Sequence, residues 1–110
     1  MGARIIPPKR VREDFSLVYE LMGAQKAVDF LARHYKVRKM KIVVNGRKVG
    51  RKYLAIYDDN ISYFKKCSLK KKIVLHEFYH HLAQNNIVPS KGEERKAENY
   101  ARKIALWTNV

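Results

Sequence analysis

The sequence predicts a single α+β domain: an N-terminal helix, a small, mostly antiparallel sheet, and two further helices behind it. Three observations carry this. Apolar residues recur at spacings of three and four over 17–35, 69–84 and 90–105, the period of helices with one buried face. Over 40–65 apolar and polar residues alternate, and turn residues interrupt the runs, as in short strands. The length, 110 residues, suits one domain (1–110) with one modest core.

Residues 1–14 read as a basic arm, with Arg4, Lys9, Arg10 and Arg12 around Pro7-Pro8. Two prolines resist helix and bias Ile6 to extended backbone. The first helix carries the stripe Leu17, Leu21, Ala24, Val28, Leu31 and Tyr35, with Asp14 or Ser16 as its cap and Gly23 as a weak point in its middle. Met40, Ile42 and Val44 then alternate with Lys41, Val43 and Asn45 as a first strand. Asn45-Gly46 is a hairpin signal, because both residues tolerate positive φ. Residues 53–57 form a second strand, Asp58-Asp59-Asn60 a turn, and Ile61-Ser62-Tyr63-Phe64 a third strand.

Ser68 is placed to cap a second helix over 69–84, whose row Val74, Phe78 and Leu82 faces inward; Asn85-Asn86 and Pro89 end it. Ser90-Lys91-Gly92-Glu93 has the spacing of a capping box opening a third helix, packed through Ala97, Tyr100, Ala101, Ile104 and Ala105. Leu106, Trp107 and Val110 are apolar for an exposed end, so 105–110 is expected as a tail that docks.

Composition excludes several classes. One cysteine, Cys67, leaves no intrachain disulfide and is expected as a small buried hydrophobe. No apolar run is long enough to span a bilayer or act as a signal peptide, so a soluble cytoplasmic protein is expected. Lys and Arg number 24 against 10 Asp and Glu, a net charge of +14 that concentrates anionic partners. No nucleic-acid-reading motif surrounds Lys70-Lys71-Lys72 or Arg47-Lys48 with Arg51-Lys52, so these are expected as solvated faces making at most weak anion or nucleic-acid contact.

The informative segment is His76-Glu77-Phe78-Tyr79-His80, an HExxH on a helix. Residues four apart on a helix are neighbours, so His76 and His80 reach one metal ion, a zinc, from the same face. Glu77 flanks that ion, where a carboxylate can take a proton from water. A catalytic zinc needs a third protein ligand and one open position. Glu93, Glu94 and Glu98 offer carboxylates on the next helix. Glu93 is expected in the capping box. Glu94 and Glu98 share a face, and either can ligate while the other supports a histidine. His81, five residues from His76, points off that face and is expected in solvent; His34 is expected as a surface or half-buried histidine; no residue stands out as an oxyanion stabiliser, and Tyr100 is the one candidate offered.

HExxH followed by Glu94-Arg95-Lys96-Ala97-Glu98 resembles the gluzincin metallopeptidases, of which thermolysin is the familiar example. The resemblance implies His76, His80 and Glu94 as ligands of one catalytic zinc, Glu77 as general base, and Glu98 in contact with His76, although Asp is usual at position 98. A chain of this size resembles the minigluzincins, minimal latent metallopeptidases of thermophilic prokaryotes. That resemblance implies a zinc-dependent endopeptidase acting on protein or peptide, with 53–57 as the rim strand that pairs with substrate. It also implies a zymogen, blocked by residues 105–110 as an added strand, or by exchange of the last helix in a helix-swapped dimer; otherwise the chain is a monomer. Two alternatives remain. Glu94, Ala97, Tyr100 and Ala101 also resemble the small metallopeptidases that cleave phage-type repressors. A basic nucleic-acid-binding module with a structural metal is the non-enzymatic reading.

Overall fold

A computed structural model describes the backbone of residues 6–108 and the side chains of 6–105. The elements in order are α1 (Lys9–Met22), α2 (Ala24–Tyr35), β1 (Lys41–Val44), a short α3 (Gly46–Val49), β2 (Ala55–Asp58), β3 (Ile61–Phe64), a single 3₁₀ turn (Lys66–Ser68), α4 (Lys71–Gln84) and α5 (Glu93–Thr108). The architecture is α+β, with a three-stranded sheet in the order β1-β3-β2.

The first helix begins earlier than its sequence suggests, so 9–14 are helical rather than part of an arm. Pro8 stands extended (φ −57°, ψ 156°) as the residue before the helix, and its carbonyl accepts from Arg12 N at 3.0 Å. A proline disfavours helix in the residue before it and leaves the residues after it free to be helical. Neither Asp14 nor Ser16 caps.

Gly23 divides the expected helix in two. It sits at φ 93° and ψ 175°, a region essentially reserved for glycine; its N–H donates to Tyr19 O, and its carbonyl accepts from Ala27 N. The break rotates α1 relative to α2. Ala24, Val28 and Leu31 are buried as the stripe predicts, but Leu17 and Leu21 are exposed by 58% and 75%. Phe15 takes the core position, with Val11, Val18 and Tyr19 packed against it.

The sheet is mixed, because β1 pairs parallel with β3 (Lys41 opposite Ile61) while β2 pairs antiparallel with β3 (Asp58 opposite Ile61). A parallel neighbour requires a crossover. The Asn45-Gly46 hairpin is therefore absent. Asn45 is extended, and its side chain caps α3 by accepting from Lys48 N at 3.3 Å. The turn expected at Asp58-Asp59-Asn60 is the tight one, with Asp59 and Asn60 both at positive φ (46° and 67°), the conformation that matches strand twist. Gln25 of α2 covers the outer edge of β1: its amide donates to Met40 O at 2.9 Å and accepts from Ile42 N at 2.8 Å. An occupied edge no longer templates another strand.

Helix α4 packs through Val74, Leu75, Phe78, Tyr79 and Leu82, all buried. Lys70, not Ser68, precedes it, and no side chain caps it. Ser68 is buried in the 3₁₀ turn and donates to Leu54 O, which fastens the entry to β2. The loop after α4 turns through Asn86 and Gly92 at positive φ, and α5 opens with Lys96 N donating to Gly92 O at 3.1 Å. Helix α5 returns along α4 with Ala97, Tyr100, Ala101 and Ile104 buried between them. Its backbone stays helical through Thr108, so 105–108 do not form an extended strand. The rest of the segment expected to block the site, 109–110, lies outside the described residues, as do residues 1–5 of the arm. No helix among the described residues is long and apolar enough to cross a membrane.

Candidate metal centre and catalytic cleft

One turn of α4 separates His76 from His80 and sets their rings side by side on one face, with centroids 5.1 Å apart and planes tilted by 59°. The antiparallel return of α5 brings three carboxylates against these rings. Glu94 meets both Nε2 atoms, His76 at 3.0 Å through Oε1 and His80 at 2.9 Å through Oε2. Glu98 Oε1 lies 3.3 Å from His76 Nδ1. Glu93 makes the corresponding contact with His80 Nδ1. One ligand atom each from His76, His80 and Glu94 lie within 4.8 Å of one another.

This geometry suits a cation. Each imidazole has a carboxylate oxygen against both of its nitrogens, yet a neutral ring carries one N–H. With Nδ1–H donating to Glu98 or Glu93, Nε2 turns a lone pair toward the oxygens of Glu94. Only a second proton on each ring or a shared cation relieves that repulsion, and one cation serves both rings. Two imidazoles and a carboxylate are also a donor set that zinc accepts with a fourth position open.

Glu77 is buried, with 7% of its surface exposed, and it lines the same cleft. Burial pushes its carboxyl above the usual range, partly countered by His80 and His76. No hydrogen bond among the described residues engages it, so its oxygens are available to a molecule in the cleft. Lys72 holds Glu98 by an ion pair at 2.9 Å, and that bond leads the causes that lower the Glu98 carboxyl.

The cleft has a volume of about 940 Å³. Its floor is α4, one end is the carboxylate-bearing start of α5, and the facing wall is the segment 52–57 that leads into and forms β2. Strand β2 is an edge of the sheet.

Several expectations for single residues are corrected here. Glu93 is drawn to His80 and does not close a capping box, since α5 opens at Gly92 with its carbonyl as first acceptor. The signal was present: Glu93 stands beside Glu94 as the first residue of the helix, and His80 lies one turn beyond His76. His81 is fully buried rather than solvated, because the next position around α4 faces the sheet. Its Nε2–H donates to the Arg38 carbonyl at 2.6 Å, so Nδ1 accepts from the Tyr57 hydroxyl at 2.8 Å. Burial lowers the His81 pKa and keeps the ring neutral, and burial pushes Tyr57 up to about 12. This bond ties β2 to α4 and so fixes the spacing of the cleft walls. Tyr100 is in the core, bonded to the Tyr35 hydroxyl at 2.9 Å, and does not line the cleft. Cys67 and His34 are exposed, the first contrary to expectation.

No protein-family model, curated protein or solved structure matches the chain.

Proposed function

We propose that the chain is a zinc-dependent endopeptidase of the minigluzincin kind. The observation that carries this reading is the convergence of His76 Nε2, His80 Nε2 and both Glu94 oxygens, with Glu77 beside them in one cleft. When bound, zinc supplies a Lewis acid that polarises a carbonyl oxygen and draws the pKa of water toward neutrality. The chain's own residues supply the rest. Glu77 takes a proton from the attacking water. As the peptide C–N bond breaks, Glu77 returns that proton to the leaving amine. Glu98 and Glu93 hold the two Nδ1–H groups and so present both Nε2 atoms to the ion. The outer edge of β2 offers unpaired backbone groups to an extended peptide or protein segment beside Glu77.

Latency through residues 105–110 belongs to this reading and is supported by the family resemblance. A helix continuing to Thr108 favours exchange of α5 with a second copy over an added strand.

The test pairs metal content with hydrolysis of an unstructured fluorogenic protein. Glu77→Gln keeps one zinc per chain and loses at least about 100-fold in activity, because a base is not a ligand. Glu94→Ala loses most of the zinc. Glu77→Gln with full activity, or Glu94→Ala with full zinc, overturns the reading.

A further inference from the structure

The charges around the cleft are unevenly committed. Its four glutamates are all engaged or buried: Glu93, Glu94 and Glu98 hold the histidines, and Glu77 is buried. Three lysines line the same cleft, Lys52 on the strand side and Lys70 and Lys72 at the start of α4. Lys72 is taken by Glu98. Neither Lys52 nor Lys70 has a side-chain ion pair or hydrogen bond among the described residues. Both are exposed. Apart from the buried Glu77, the uncommitted charge lining the cleft is therefore cationic, in a chain already at +14.

The end of the cleft where Lys70 stands has a second source of positive potential. Helix α4 starts there with no acidic residue in its first turn and no side-chain cap, so its first N–H groups are unneutralised. Tyr53 and Leu54, each 58% exposed, line the same cleft and offer an apolar surface to the stem of a side chain. A low-dielectric wall flanked by like charges focuses potential on whatever enters.

We propose that this cleft selects extended peptide segments carrying Asp or Glu beside the bond it holds, with Lys52 and Lys70 as the specificity-determining residues. The inference rests on the peptidase reading only for the identity of the occupant as a peptide. Charge complementarity favours an acidic side chain over a neutral one. An exposed pair contributes about threefold, so two multiply to about tenfold.

The test is binding rather than turnover. Two fluorescein-labelled peptides are compared, one with Asp and Glu flanking an apolar centre and one with Asn and Gln at the same places. Each is titrated by fluorescence anisotropy into the zinc-loaded full chain carrying Glu77→Gln. The acidic peptide binds about tenfold more tightly, and this ratio falls to within about twofold when Lys52→Gln and Lys70→Gln are added. The pair Lys52→Arg and Lys70→Arg retains the ratio, which separates charge from packing; circular dichroism and zinc content establish that each variant is folded. Equal affinity for the two peptides, or a ratio that survives the double glutamine variant, overturns the proposal. Displacement of the acidic peptide by a single-stranded oligonucleotide at lower concentration than by unlabelled peptide also overturns it, and makes nucleic acid the ligand. Failure of the peptidase reading looks different: the acidic preference is present, but neither the unsubstituted chain nor a folded, zinc-loaded chain truncated after Ile104 cleaves either peptide.

Discussion

The Glu93 carboxylate meets Nδ1 of His80, just as Glu98 meets Nδ1 of His76 one turn earlier on α4. The two contacts make the pair of histidines equivalent: each has its Nδ1 held by a carboxylate and its Nε2 turned toward Glu94. The equivalence follows from helix geometry. Two residues four apart on α4 are read by acids at the first and sixth positions of an antiparallel α5, with Glu94 between.

Glu93→Ala is accordingly expected to weaken zinc by about 10–100-fold, as loss of a carboxylate behind a ligating imidazole does. Glu98→Ala falls in the same range. Competition against a chromophoric chelator measures both. Unchanged affinity in Glu93→Ala would show that its contact with His80 does no orienting.

The bond between Tyr57 and His81 predicts a cost away from the metal. Tyr57→Phe removes the donor to a fully buried imidazole nitrogen. Leaving that acceptor with only the long contact to the Asn85 amide, at 3.5 Å, is expected to destabilise the chain by about 1–3 kcal/mol in urea titration. The loss should appear in metal-free protein as well, because neither residue is a ligand. A variant as stable as the parent contradicts the role of this bond in joining β2 to α4.

Truncation after Ile104 tests latency. If residues 105–110 block the cleft, the shortened chain hydrolyses an unstructured fluorogenic protein faster than the full chain at equal zinc content. Ala105 is 8% exposed, so the truncated helix also loses some packing, and thermal unfolding must be followed beside activity. A folded, zinc-loaded truncation no more active than the full chain makes the segment part of the core alone.

What could be read from the sequence divides by how local its cause is. His76 and His80 share a face through helix periodicity alone, and the structure places their rings side by side accordingly. The second ligand helix was readable because Glu94 and Glu98 repeat that spacing. The contact of Glu93 had a signal in its place beside Glu94, but the Ser90–Glu93 spacing offered a competing capping box, and the choice depends on α5 opening at Gly92 rather than at Ser90. His81 depended on which neighbour packs against α4, and the buried side proved to be the one facing β2 and Arg38. Leu17 and Leu21 continue the stripe of α2 in sequence but not in space, because Gly23 resets the helix axis. Asn45 has two compatible roles, turn residue and helix cap, and the parallel pairing of β1 with β3 selects the second. Each misreading arises where tertiary pairing chooses between local options of similar energy.

The central claim is a zinc held by His76, His80 and Glu94, and X-ray absorption at the zinc edge of the metal-loaded full chain tests it most directly. The account predicts a shell of nitrogen and oxygen donors at about 2.0–2.2 Å with no sulfur, and outer-shell scattering from two imidazoles. Scattering from fewer than two imidazoles, a sulfur ligand near about 2.3 Å that implicates Cys67, or zinc that does not stay with the protein would contradict it.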